Sequence, residues 1–195
     1  MAAPRRGLLR ELEVGPRSVQ LRFMGPGDAE AMLTFARSLK AHDLLFLPTD
    51  ITEVEGVNAW VDDILTGTVA AIVAVSGDDI VGFSSVARSA TRWMRHIGEL
   101  RVVVGEGARG RRLGRHLTAE AFRVAVDMGV SRMIAQMTLD QIAAIRTFRR
   151  MGFTPLALLH DHVIDDDGKR YDLIVMHQEV ADFAGTLKGL DEPGR

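Results

Sequence analysis

The sequence predicts a single α+β domain built around a mixed sheet, and three observations carry that prediction. Apolar residues switch repeatedly between period two and period 3.6 along the chain. A tight turn, Ser76-Gly77-Asp78-Asp79, joins two apolar runs as a hairpin. Only some of the strands are separated by helices long enough to cross a sheet face. A chain of 195 residues with 47% hydrophobic content can bury one real core and is short for two.

Taken in order, residues 1–18 lack clear periodicity and read as an amino-terminal tail. "SVQLRF" alternates as a strand over 19–23, "GPGD" breaks it, and Met32, Phe35, Ala36 and Leu39 follow at helical spacing. Thr52 with Glu55 three residues on predicts a capping box for a second helix, with Val57, Trp60, Val61, Ile64 and Leu65 as its stripe and Gly67 at its end. The hairpin and a strand over 96–104 come next. A third helix carries Leu113, Leu117, Ala121, Val124, Ala125 and Met128 on one face, with Gly129 beyond it. "SRMIAQMTL" is a strand, and "DQIAAIRTFRRMGF" a short helix with Asp140 at its N-cap and Gly152 at C′. "TPLALLHDHVI" and "RYDLIVMHQEV" are two last strands about the acidic turn "DDDGK". The order is β-α-α-β-β-β-α-β-α-β-β, about seven strands and about four helices, in a domain over 19–180 followed by a tail over 181–195.

Composition excludes several functions. A net charge of -2 argues against a nucleic-acid-coating protein, so any basic site must be local. The absence of cysteine removes disulfides, thiolate catalysis and cysteine-ligated zinc. Arg10 and Glu11 break the first apolar stretch too early for a signal sequence, and no run approaches the roughly 18 apolar residues of a membrane span, so a cytoplasmic protein without membrane contact is expected. No metal is expected either: His160, Asp161 and His162 alternate between strand faces, and Asp165, Asp166 and Asp167 lack EF-hand spacing and read as a turn.

"ARGRRLGRHL" places Arg109, Arg111, Arg112 and Arg115 at the start of the third helix. Cations there oppose the helix dipole by roughly 0.3–1 kcal/mol each. A solvated basic face is one reading; an anion site is the other. A strand, a short turn and a helix start containing Gly110 and Gly114 present free N–H groups that a phosphate can approach.

The region "GELRVVVGEGARGRRLGRHL" resembles the acetyl-CoA site of the Gcn5-related N-acetyltransferase superfamily, whose signature is Q/R-x-x-G-x-G/A at the start of a long helix. Arg109 matches its first position and Gly114 its last, whereas Arg112 stands where the first glycine is expected. "QIAAIRTFRRMGF" resembles a second family block, N-x-x-A-[IL]-x-x-Y-x-x-x-G-F, with Gln141 and Phe148 replacing its asparagine and tyrosine. The resemblance implies a mostly antiparallel sheet whose fourth and fifth strands, 96–104 and 133–138, splay to admit the pantetheine arm. It implies acetyl-CoA as cosubstrate, with contacts from Val102, Val103, Val104, Arg109, Gly110, Arg111, Arg112, Leu113, Gly114, Arg115, Gln141 and Phe148.

The chemistry asks for a base, because a lysine-like amine with a pKa of about 10.4 must lose a proton before it attacks a thioester. Glu99 interrupts an otherwise apolar strand ten residues before Arg109, and in this it resembles the base of bacterial protein lysine acetyltransferases. The alternative is a carboxylate facing water or paired with Arg101 or Arg88. Tyr171, the only tyrosine, lies beside the acidic turn, which favours a surface role. The resemblance thus implies transfer of acetyl to a primary amine by direct attack. The partners are acetyl-CoA and an acceptor, for which the likeness to lysine acetyltransferases favours a protein lysine ahead of a small-molecule amine; a homodimer stays open and no nucleic-acid partner is expected. The rival is a regulatory domain that binds acyl-CoA without turnover.

Overall fold

The computed structural model describes residues 7–45, 47 and 49–183. Its strands are β1 (Leu8–Val14), β2 (Arg17–Phe23), β3 (Val69–Ser76), β4 (Asp79–Arg88), β5 (Ile97–Val104), β6 (Arg132–Thr138), β7 (Thr154–Ile164) and β8 (Arg170–Glu179). The helices are α1 (Ala29–Arg37), α2 (Ala41–Leu44), α3 (Val54–Thr66), α4 (Leu113–Asp127) and α5 (Ile142–Arg150). One sheet runs β1-β2-β3-β4-β5-β6-β8-β7, and β5–β6 is its one parallel pair among the described residues. Parallel neighbours cannot be joined by a hairpin, so the chain crosses between them through α4.

Strand alternation sorts the core into two layers. On β3, Ala71 and Val73 pack with Met32, Phe35 and Trp60 of α1 and α3. Ile72 and Ala74 point the other way, to Leu113 and Leu117 of α4. Further along the sheet, Leu100, Phe122, Met133, Ile145 and Phe153 join α4 and α5 to β5 and β6.

The sheet has eight strands rather than about seven because β1 lies where a tail is expected. β1 pairs antiparallel with β2, with Leu12 opposite Val19. As an edge strand it carries polar residues on its exposed positions, which blurs the alternation that would reveal it. Glu120 of α4, 5% exposed, anchors β1 through an ion pair with Arg10 Nε at 3.3 Å and also pairs with Arg123. Glu120→Ala takes a buried carboxylate from two part-exposed guanidiniums and should cost about 1–3 kcal/mol. A urea-unfolding loss below about 0.5 kcal/mol, the scale of a solvated pair, would show that this carboxylate does not hold β1.

The carboxyl-terminal tail also begins later than expected. Phe183 is fully buried and stacks on Phe122 with ring centroids 3.8 Å apart, so the chain stays packed on the domain as far as Phe183. The rest of that tail, 184–195, lies outside the described residues, as do 1–6.

Helix starts differ in detail. Thr52 caps no helix; its hydroxyl donates to Asp50 Oδ1 at 2.6 Å, and Glu53 occupies the N-cap of α3. Leu65 is 42% exposed and falls outside the stripe. Gln141, not Asp140, is the N-cap of α5. Gly67 and Gly152 end their helices with φ of 80° and 96° as the pattern requires. The short α2 has no counterpart in the periodicity, being one turn long.

Candidate active site

β5 and β6 pair only at Ile97–Arg132, Gly98–Met133 and Glu99–Ile134. Beyond this β6 departs, so the edge of β5 facing it loses its strand partner from residue 100 onward. Those N–H and C=O groups are left for an extended ligand arm. The opening is a cleft of about 860 Å³ whose floor is Leu100 to Val104 on one side and Ala135 to Met137 on the other. Parallel strands held at one end and separated at the other form a V, and α4 starts at its open end.

At that end the Glu106–Ala108 turn and residues 109–112 lead into α4. Gly110 has φ of 74°, and Arg112 has φ of 65°, a left-handed conformation that costs a non-glycine residue roughly 1–2 kcal/mol. Arg112 holds the position where the family signature has glycine, so the loop keeps the backbone shape without the residue type that makes it easy. Arg112→Gly should therefore raise stability by about 0.5–1 kcal/mol after the added unfolded-state entropy is subtracted. A fall in the denaturation midpoint would mean that the Arg112 side chain holds the loop.

Every coenzyme contact expected from the sequence lines the cleft except Arg111. Arg111 turns away: its Nη1 donates to the Val14 carbonyl at 3.5 Å and lies so close over Gly15 that a Cβ there would meet it at 2.0 Å. Arg111 thus ties the loop to the β1–β2 turn. Arg109 lines the cleft but is engaged within the protein, donating from Nε to the Val104 carbonyl at 2.9 Å and from Nη2 to Asp43 at 2.7 Å. The N–H groups of Leu113 and Gly114, in the first turn of α4, have no carbonyl one turn earlier in the helix to bond. A Cβ on Gly114 would meet Val104 Cγ2 at 3.6 Å and Val102 Cγ1 at 3.9 Å, ordinary contacts.

α5 forms the far wall. Phe148 is buried edge-on against Phe153 with centroids 4.8 Å apart, and Gln141 accepts from the Thr138 N–H at 3.3 Å. Glu99 does not line the cleft. It sits at the closed end of the V, half-exposed, with its carboxylate paired to Arg101. Arg101 does line the cleft, and burial pulls its guanidinium below the usual arginine range, with Glu99 opposing that shift.

The sequence gives no warning of α2's part in the site. His42 Nε2 lies 3.2 Å from both Thr138 Oγ1 and Asp140 Oδ2, on the β6 side, while Asp43 holds Arg109 on the β5 side. Consecutive residues of one helical turn therefore span the open end of the V. Tyr171 packs against His42 with centroids 5.2 Å apart, and its hydroxyl donates to Asp165 at 2.8 Å, within the acidic turn.

Residues 38–153 match the family model "Acetyltransferase (GNAT) family". The chain is 29% identical over 83 residues to "Putative phosphinothricin acetyltransferase YwnH" of Bacillus subtilis (strain 168), covering 43% of this chain and half of that relative's length. An acetyltransferase of the GNAT family from Streptococcus pneumoniae superposes with a TM-score of 0.72 at 20% identity, over 83% of this chain and 99% of that one. The yncA structure from Salmonella typhimurium, solved with its cofactor acetyl-CoA, superposes at 0.71 and 21% identity, over 91% and 96%. The superpositions show a shared fold, and the family model runs through both the arginine loop and the α5 block: the chain belongs to the GNAT acetyltransferase family.

Proposed function

We propose that the protein is an acetyl-CoA-dependent N-acetyltransferase that passes acetyl to a primary amine by direct attack on the thioester. The observation that carries this reading is the V between β5 and β6, open at the helix start that can receive a pyrophosphate. The residues fit coenzyme A: the unpaired edge of β5 accepts an extended arm as an added strand, and the Leu113 and Gly114 N–H groups face the loop. Arg112 and Arg115, which line the cleft, supply charge-assisted bonds to phosphate. Arg109, held by Asp43, shapes the loop and adds to the positive field.

When the thioester carbonyl lies near the closed end of the V, Glu99 is the carboxylate that takes the ammonium proton, directly or through one water. The amine lone pair then forms the new C–N bond, the nitrogen gives its second proton to water, the C–S bond breaks, and the thiolate leaves with its electron pair. Phe148 offers no proton to that thiolate and Tyr171 is held by Asp165, so water completes the step. A free thiol with a pKa of about 8.5 is a stable enough anion for this.

A small-molecule acceptor is favoured over a protein lysine. The relative named for phosphinothricin supports it. The experiment is a thiol-release assay with acetyl-CoA across amino acids, polyamines and lysine peptides. Turnover of at least one amine class is expected. Tight acetyl-CoA binding with no turnover of any would establish the regulatory-domain reading instead.

A further inference from the structure

We infer that the acceptor carries a carboxylate a few bonds from its reacting amine, and that Arg101 with Gln136 selects it. The inference rests on the acetyltransferase reading above. The parallel pairing ends at Glu99–Ile134, and two residues on along the diverging strands come Arg101 of β5 and Gln136 of β6. Both line the cleft. Alternation puts Arg101 on the same face of β5 as Glu99 and Val103, opposite Leu100, which packs against the α4–α5 layer. Thus the α4–α5 side of the V is apolar, while its other side places a guanidinium and a carboxamide on opposing walls.

Arg101 is the unusual member. Its side chain is 14% exposed, whereas that of its partner Glu99 is 36% exposed. Glu99 already gives this guanidinium one carboxylate, and in a cleft at that desolvation further negative charge is favoured over a neutral group. Its planar fork of five N–H donors suits a carboxylate better than any neutral group, and Gln136 adds a further N–H donor from the other wall. Glu99 and Arg101, two apart on one strand face, hold their charged groups in contact. One small acceptor can therefore place its ammonium at Glu99 and its carboxylate at Arg101, as an amino acid would, its two charges being one carbon apart. The incoming carboxylate also competes with Glu99 for the guanidinium, leaving a Glu99 oxygen to receive the ammonium proton.

The test compares matched acceptors on the unaltered protein: leucine, methionine and phenylalanine, each against the amine that lacks its carboxylate, at saturating acetyl-CoA. The expected result is a kcat/KM preference for the amino acid on the order of 10²-fold or more, the discrimination available to a site built to bond a group that the competitor lacks. Arg101→Gln should bring that ratio to within a few-fold of one with the acetyl-CoA KM unchanged. Gln136→Leu, at a half-buried position that tolerates the change, should lower it in part. Equal or faster turnover of the plain amines overturns the inference and leaves the acetyltransferase reading standing. A ratio that survives Arg101→Gln, with both rates lowered alike, makes Arg101 a structural partner of Glu99. No turnover of either class by protein that binds acetyl-CoA removes both.

Discussion

Gly114→Glu should abolish acetyl-CoA binding while leaving the fold intact, and the two halves of that result have separate causes. A Cβ at 114 makes only van der Waals contacts with Val102 and Val104, so the position admits a side chain. A carboxylate in the first turn of α4 is favoured by the helix dipole, so stability should hold or rise slightly. The same carboxylate stands where the pyrophosphate must lie. Like charges about 5 Å apart at an effective dielectric of about 20 repel by roughly 3 kcal/mol, and the side chain also covers the amides that would bond the phosphate. Calorimetry should show affinity weakened at least about 10²-fold, while Gly114→Ala, the steric control, should lose only a few-fold. If Gly114→Glu binds acetyl-CoA like the parent, the loop is not the coenzyme site and the arginines are a solvated face.

Legibility in the sequence followed burial. The elements with one apolar face against a deep core, α1, α3, α4, α5 and the β3–β4 hairpin, showed clear periods because each buried position demands an apolar residue. β1 was hidden because its place at the sheet edge lets Arg10, Glu11 and Glu13 occupy it, and what secures it is a buried carboxylate far along the chain, Glu120 of α4. The arginine loop was legible because the spacing expected of a phosphate site is local: glycines and arginines within a few residues. Arg111 shows where that logic stops, since the same residue type at the same loop serves as a strut to Val14 when the β1–β2 turn lies beside it. His42, Asp43 and Gln136 were missed for a different reason. Their roles arise from elements brought together across the V, and nothing in their own neighbourhoods marks them. Arg101 could have been found, because alternation alone places it on the face of Glu99.

Glu99→Gln tests the chemistry most directly. Glutamine keeps the shape and hydrogen-bonding reach of the side chain but cannot take a proton. If the carboxylate at the closed end of the V receives the ammonium proton, the variant must wait for amine that is already neutral. For an amine of pKa about 10.4 that is a fraction below about 10⁻³ at pH 7, so kcat should fall on the order of 10²-fold or more. Acetyl-CoA affinity should hardly change, because Glu99 does not line the cleft. The variant also weakens the pairing with Arg101, so some loss of stability is expected whatever its role, and a melting curve alone decides nothing. The pH profile does decide. Each unit of pH raises the free-amine fraction about tenfold below the amine's pKa. A missing base therefore makes the deficit shrink steadily from pH 7 to 10, whereas a lost structural carboxylate lowers kcat by the same factor throughout. Convergence of the two profiles at high pH assigns the proton to Glu99; parallel profiles would leave its carboxylate the task of holding Arg101.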